Sequence, residues 1–341
     1  YGASDLSSIP IPNTVTSIGA RAFQGATSLT TVTFEAGSNL ETIGHGAFQG
    51  ATNLSSITIP PLVTSIVNSA FEEAGLTSII IPAGVTSIRD RAFWSATSLT
   101  SVTFEADSSL NSIGYGAFNN TRFTSFTIPA TVTSIGREAF QSARYLTEII
   151  IPPLVTSIGD NTFLNASVLT KVTFAADGSL NSIGNYVFKN ANSLTSITIP
   201  AGVTEIGNEA FSGATALTEI NVDGDNNNFS SDVNGVLFGV LFNNNYSSLI
   251  KYPEGNTDTS YNIPNSVTII EANSFINTDI SLVYASPKLV SDNAYLNVGP
   301  GNTIGNKTNI TVTEKAIISI TLEGNTIDEN RASGTTIGSF T

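Results

Sequence analysis

The chain has 341 residues, 40% of them hydrophobic and only 12% charged, with 27 acidic against 13 basic residues and a formal charge of −14. That balance leaves no basic stripe for nucleic acid or an anionic membrane surface, and the densest basic spot, Arg89 and Arg91, is interrupted by Asp90. Cysteine is absent, so no disulfide staples the fold, and no apolar run reaches the roughly 18 residues of a spanning helix, so a piece that stays in water is expected. Methionine is absent too, which leads us to expect a mature fragment starting after a removed leader.

Along the chain one segment recurs, Ile-Pro-x-x-Val-Thr-Ser-Ile-Gly followed by Ala-Phe. The phenylalanines closing the copies are Phe23, Phe48, Phe71, Phe93, Phe118, Phe140, Phe163, Phe188 and Phe211, an almost constant step of about 22–25 residues. A fixed period of this length predicts a solenoid, because one such unit cannot bury its apolar face alone. In the unit Leu54 to Ala74, Leu54, Ile57 and Ile59 follow the L-x-x-L-x-L spacing of a leucine-rich repeat strand. Ile57 and Ile59 then face inward, Thr58 faces outward, and Pro60 ends the strand. Val63 and Ile66 make a second apolar step, Ala70 and Phe71 fill the far side, and Ala74 closes the turn.

The inward trio recurs as Leu29, Val32, Phe34, as Leu99, Val102, Phe104 and as Leu169, Val172, Phe174, with similar trios between them. Each of these trios follows the one before it by three repeats, and each is followed by a longer connection, Gly37 to Leu40, Asp107 to Leu110 and Asp177 to Leu180. The spacing predicts growth by copying triplets of repeats. The residue three after each Phe is Ala in every copy but one, where Thr121 stands, which predicts a tight buried corner.

After Phe211 the period breaks, and the next matching position, Phe275, comes far more than one repeat later. The stretch at about 223–260 reads as a hairpin insertion with Asn243, Asn244 and Asn245 in its turn. Tyr261 to Phe275 restores a standard unit, and Ile280 to Tyr284 is expected to be the last strand of the stack. Beyond Ala285 the repeat is gone, and Ile310–Thr313 and Ile317–Leu322 read as two strands. The expected architecture is a mainly-β repeat solenoid of about 10–11 repeats over 1–285, with a parallel sheet on one face, and a β-rich extension over 286–341.

The consensus Leu-Thr-Ser-Ile-Thr-Ile-Pro-x-x-Val-Thr-Ser-Ile-Gly-x-x-Ala-Phe resembles the BspA-like leucine-rich repeats of bacterial surface proteins, over residues 6 to 285. In that family the corner residue is often Cys, whereas here it is Ala. The resemblance implies a right-handed solenoid, export to the cell surface, and adhesion to protein or glycan ligands; the low Lys content and abundant Thr, Ser, Asn and Gly fit that location. The stretch Asn325 to Gly338 resembles the opening strand of a cadherin-like domain, in which Glu329 would take the place of a Ca²⁺-binding Glu, without the partner acidic motifs.

Catalytic chemistry finds little support. The single histidine, His45, is replaced by Tyr115 and Asn185 at the equivalent places three and six repeats on, so it reads as a surface residue and not as a base. Asp223-Gly-Asp225 resembles the start of a Ca²⁺ loop but lacks its sixth-position Gly and twelfth-position acid, so it reads first as a polar loop. No enzyme, no resident cofactor and no metal site are expected. The outward strand positions are mostly Ser and Thr, including Thr58, Thr103, Thr127 and Thr173, which suits exposed strands in any case. Ile80, Glu148, Ile150 and Lys171 depart from that pattern, and Ile80 and Ile150 lie three repeats apart. Exposed apolar residues on a polar strand face are candidate contacts, and Trp94 and Leu164, equivalent residues at a corner otherwise polar, are candidates too. The leading reading is a monomeric cell-surface binding module for an extracellular protein or glycan. The rivals are a spacer presenting downstream domains and an ice-binding face of Thr and Ser rungs.

Overall fold

The computed structural model of the chain describes residues 5–241, 245–271, 273–286, 289, 302–304, 307–322 and 325–332. They form two compact units, Tyr1–Thr215 and Ala216–Thr341. The first is a β-solenoid whose described residues make nine rungs, each closed by one of the nine phenylalanines. The expected solenoid with parallel strands on one face is what the chain forms.

Each rung turns through three walls. The first carries the longer strands, such as Thr31–Phe34, Ser78–Ile81, Ser101–Phe104, Glu148–Ile151 and Lys171–Phe174. They pair in parallel, as in Ile79↔Val102 and Ile149↔Val172. The alternation is that of a half-buried strand: Ile79 and Ile81 are buried while Ser78 and Ile80 are exposed. The second wall carries two-residue strands, seven of which, from Ser65–Ile66 to Glu205–Ile206, form one parallel sheet. Their Ile side chains point into the core, buried in all but the last.

The third wall is the Phe wall. The rings of Phe23 through Phe211 stack rung on rung, with centroids 5.2–5.8 Å apart. The backbone here alternates two kinds of hydrogen bond. The Phe23 N–H donates to the Ala47 carbonyl on the next rung at 2.8 Å, while the Gln24 N–H turns back to the Arg21 carbonyl at 3.1 Å. The alternation requires two left-handed residues per rung. They are positions 21, 46, 69, 91, 116, 138, 161, 186 and 209, and positions 25, 50, 73, 95, 120, 142, 165, 190 and 213, with φ between 51° and 75°. Only five of these are Gly, so Arg21, Glu73, Tyr186 and others hold a conformation that costs an L-residue about 1–2 kcal/mol. The stacked, buried rings offset that strain, since burying one Phe contributes roughly 1.5–3 kcal/mol.

The corner after each Phe is as tight as expected. Its alanines are at most 2% exposed. Thr121, which replaces Ala in one rung, is also 2% exposed and donates its hydroxyl to the Phe118 carbonyl at 2.8 Å. One inward expectation needs correction. Phe34, Phe104 and Phe174 are only half-buried, and so is Val102.

In the second unit Phe229–Ser231, Leu237–Leu241 and Asn245–Lys251 pair antiparallel as a three-stranded meander, one strand more than a hairpin. Asn245 begins the third strand, and Asn243 and Asn244 lie outside the described residues. Leu282–Ala285 is not the last strand: it pairs in parallel with Ser260–Asn262 on one side and with Thr311–Glu314 on the other. The two strands expected at 310–322 are one, Lys307–Leu322, whose later half pairs antiparallel with Asn325–Ala332. The core of this unit gathers Phe238, Tyr252, Tyr261 and Phe275. It also encloses an ion pair, Lys251 to Glu254 at 2.7 Å, with Asn277 donating to the other Glu254 oxygen. Burial, with Asp258 accepting its hydroxyl proton at 3.1 Å, pushes the Tyr252 pKa up.

Candidate functional site

The outward side of the first wall is one surface that the fold leaves free. Strand alternation alone decides which side chains reach it, so Thr58, Ile80, Thr103, Thr127, Glu148, Ile150, Lys171 and Thr173 are all exposed there. Ile80 is 58% and Ile150 62% exposed, the two most exposed large apolar residues among those described in the first unit. Ile80 lies in register with Thr103, and Ile150 with Thr173. Glu148 stands between Ser125 and Lys171 on neighbouring rungs.

The threonines divide into two kinds. Those just before the strand staple one rung to the previous one: Thr100 donates its hydroxyl to the Thr77 carbonyl at 3.1 Å, Thr147 to Thr124 at 3.1 Å and Thr170 to Thr147 at 2.9 Å. The hydroxyls of Thr58, Thr103, Thr127 and Thr173, by contrast, take no part in side-chain hydrogen bonds among the described residues. The first kind is explained by the fold, and the second is available to a ligand. Beside the face, where Phe34 is half-uncovered, a cleft of about 410 Å³ opens against Pro60 and Pro61, with Thr33 and Thr58 on its strand side.

Trp94 and Leu164 do not join this surface. Both sit half-buried on the Phe wall. The Trp94 ring covers Gly116 of the next rung so closely that a Cβ there would overlap it, and it lies 6.0 Å from the Tyr115 ring. The Arg91 guanidinium rests over both rings, at 4.9 and 5.6 Å. That packing gives Trp94 a task between rungs, which the sequence pattern could not show.

His45 is exposed, and its carbonyl accepts the Arg21 N–H. Asp223 caps its own loop by accepting the Asp225 N–H at 3.0 Å, while Asn226 accepts from Asn228 and Phe229. Among the described residues no group of three or more His, Cys, Asp or Glu is placed to hold a metal ion. Glu329 lies in the strand Asn325–Ala332, opposite Ile318. Among the described residues no helix is long and apolar enough to cross a membrane.

One column escaped the sequence reading. The residue immediately before the first inward position of each rung is Ser28, Asn53, Gly75 or Ser98 in early rungs, but Arg122, Tyr145 and Val168 on three successive later ones. Tyr145 is 48% and Val168 38% exposed, and the Arg122 guanidinium lies 5.6 Å from the Tyr145 ring centroid. The signal was legible as a break in a column of small and polar residues, had each column been compared along its length.

Comparison with known proteins places this geometry. The family described as the BspA type leucine rich repeat region matches residues 1–120 and 111–234, with six copies of the repeat. A leucine rich cell surface protein from Faecalibacterium prausnitzii is 33% identical, with a TM-score of 0.59 over 69% of this chain. The match spans 63% of that protein's length. A leucine-rich repeat protein from Bacteroides ovatus shares the fold at 21% identity, with a TM-score of 0.54, over 85% of this chain and 81% of that one. No curated protein matches the chain.

Proposed function

This chain belongs to the BspA-type leucine-rich repeat family, and we propose that it is the binding module of a cell-surface protein, holding an extracellular protein on the outward strand face of its first unit. The observation that carries the reading is the contrast among threonines. The fold uses one column of hydroxyls for itself and leaves a second, with Ile80 and Ile150 set among it, in water. Ile80 and Ile150 are more than half exposed on a polar strand face, which makes them candidate contact points for a partner. The structural neighbour named as a leucine rich cell surface protein supports a surface location. The arrangement brings together no nucleophile, base and orienting partner of the kind an enzyme needs among the described residues, so the reading is of recognition and not of catalysis.

The test is binding of the purified chain to immobilised extracellular-matrix proteins and to intact cells. Saturable binding is expected, and it should be lost when Ile80→Ser, Glu148→Ser, Ile150→Ser and Lys171→Ser are combined while the melting transition is kept. Undiminished binding by that variant would remove the strand face from the reading. Absence of any binding by the parent chain would instead favour a spacer that presents other domains.

A further inference from the structure

Within the first unit, Ile80 apart, the bulky or charged departures from Ser and Thr on the strand face and its leading corner are not scattered. Three neighbouring rungs carry Arg122, then Arg144, Tyr145, Glu148 and Ile150, then Val168 and Lys171. Two neighbouring pairs fall on these rungs: Arg122 lies over the Tyr145 ring, and the strands bearing Ile150 and Lys171 are hydrogen-bonded to each other. The fold does not ask for these residues. Where rung 7 has Arg144 and Tyr145, equivalent positions hold Thr27 and Ser28, Thr52 and Asn53, and Thr97 and Ser98. Where it has Ile150, other rungs have Thr33, Thr58, Thr103 and Thr173. The rungs close with either set, so closure of the coil does not by itself require the change.

The chemistry of the patch is specific. In a chain of charge −14, three cations stand here against one nearby anion, Glu148. Among the described residues the ion pairs are Arg137–Asp160, Lys189–Glu209 and Lys251–Glu254, so none of Arg122, Arg144 and Lys171 is neutralised by a salt bridge. All three are exposed, and they flank Tyr145, Ile150 and Val168, which are between 38 and 62% exposed. An exposed Tyr and Arg pair with aliphatic neighbours matches the residue types that dominate protein–protein contacts. An excess of positive charge on an otherwise acidic surface steers and orients an acidic partner, even with Glu148 in register beside Lys171. A sugar would use the aromatic ring and the cations but would leave Ile150 and Val168 without an apolar counterpart.

We propose that this patch, on rungs 6 to 8, is the principal contact of the strand face, and that its partner is a protein segment with an aliphatic centre flanked by Asp and Glu. The inference rests on the binding-module reading and narrows it to one place and one partner chemistry. The electrostatic part of the contact should weaken as salt rises, because the charges are exposed.

The test uses the full chain against arrayed synthetic peptides with Leu, Ile or Val centres and flanks of Asp/Glu, of Lys/Arg or of Ser/Gly, alongside heparin and hyaluronate. Salt-sensitive binding to the acid-flanked peptides alone is expected. Arg122→Glu with Lys171→Glu, and separately the uncharged change Tyr145→Ala, should each weaken it by at least about tenfold. Arg21→Glu with Arg89→Glu, the same charge change on other walls, should leave it within about twofold. Equal loss in the two charge-reversed variants would mean that net charge, and not the patch, holds the peptide. Binding to heparin or hyaluronate without the peptides would overturn the protein partner. Should matrix proteins or cells bind the parent chain and the Arg122/Lys171 and Tyr145 variants alike, the patch falls while the binding module stands. A parent chain that holds neither peptides, matrix proteins nor cells would bring down both.

Discussion

The Phe wall and the strand face are made by the same rungs, yet they obey different rules. On the Phe wall every rung repeats one geometry, with a stacked ring, a small corner residue and two left-handed residues four apart. On the strand face only the inward positions repeat, and the outward ones change from Thr103 and Thr127 to Ile150 while the inward pairing Phe126↔Ile149 and Ile149↔Val172 is kept. The contrast teaches where selection can act in a solenoid. A residue that contacts the rungs before and after it is constrained twice, whereas a residue that points to water is constrained by whatever it meets there.

The largest expected effect lies where the two walls meet in the core. Phe118 stacks between Phe93 and Phe140 and also packs on Phe123 and Phe126. Phe118→Ala should cost about 3–5 kcal/mol in urea denaturation. The face change Ile150→Thr should shift stability by less than about 0.5 kcal/mol. Similar costs for the two would break the comparison.

A middle-sized effect tests whether Trp94 belongs to the Phe wall or to a ligand site. Gly116→Ala should destabilise by about 1–3 kcal/mol, because the new methyl meets the Trp94 ring and the residue has φ of +56°. With Trp94→Ala already in place, the same change should cost about 1 kcal/mol less, which a double-mutant cycle measures. Strict additivity would show that the ring does not rest on Gly116.

The smallest effect separates the two kinds of threonine. Thr100→Val loses a bond to the Thr77 carbonyl and should cost about 0.5–1 kcal/mol. Thr103→Val, on the outward face of the strand that follows, loses no internal bond and should be neutral within about 0.5 kcal/mol in the same denaturation series.

The same division explains what could be read in advance. The period of the phenylalanines, the Ala corners and the inward Ile and Val positions are local signals that repeat, so the solenoid, its strands and its buried corner were legible in the sequence. Phe34, Phe104 and Phe174 were legible as inward positions but not as half-covered ones, since the strand period fixes which way a side chain points and not how fully its neighbours cover it. Past Phe211 repetition ends, and with it the guidance: the third strand of the meander and the single strand Lys307–Leu322 emerged only from the fold.

By itself the sequence determined the rung, its turns and the order in which rungs stack, because each rests on residues a few positions apart. The tertiary structure decided what those residues do for one another across a full repeat. It set Trp94 on Gly116, separated stapling from free threonines, and laid the Arg122 guanidinium over the Tyr145 ring of the next rung. The physical reason is that side-chain direction follows from the strand pleat and is local, whereas contact between rungs depends on how closely two backbones approach, and that is fixed only once the stack has closed.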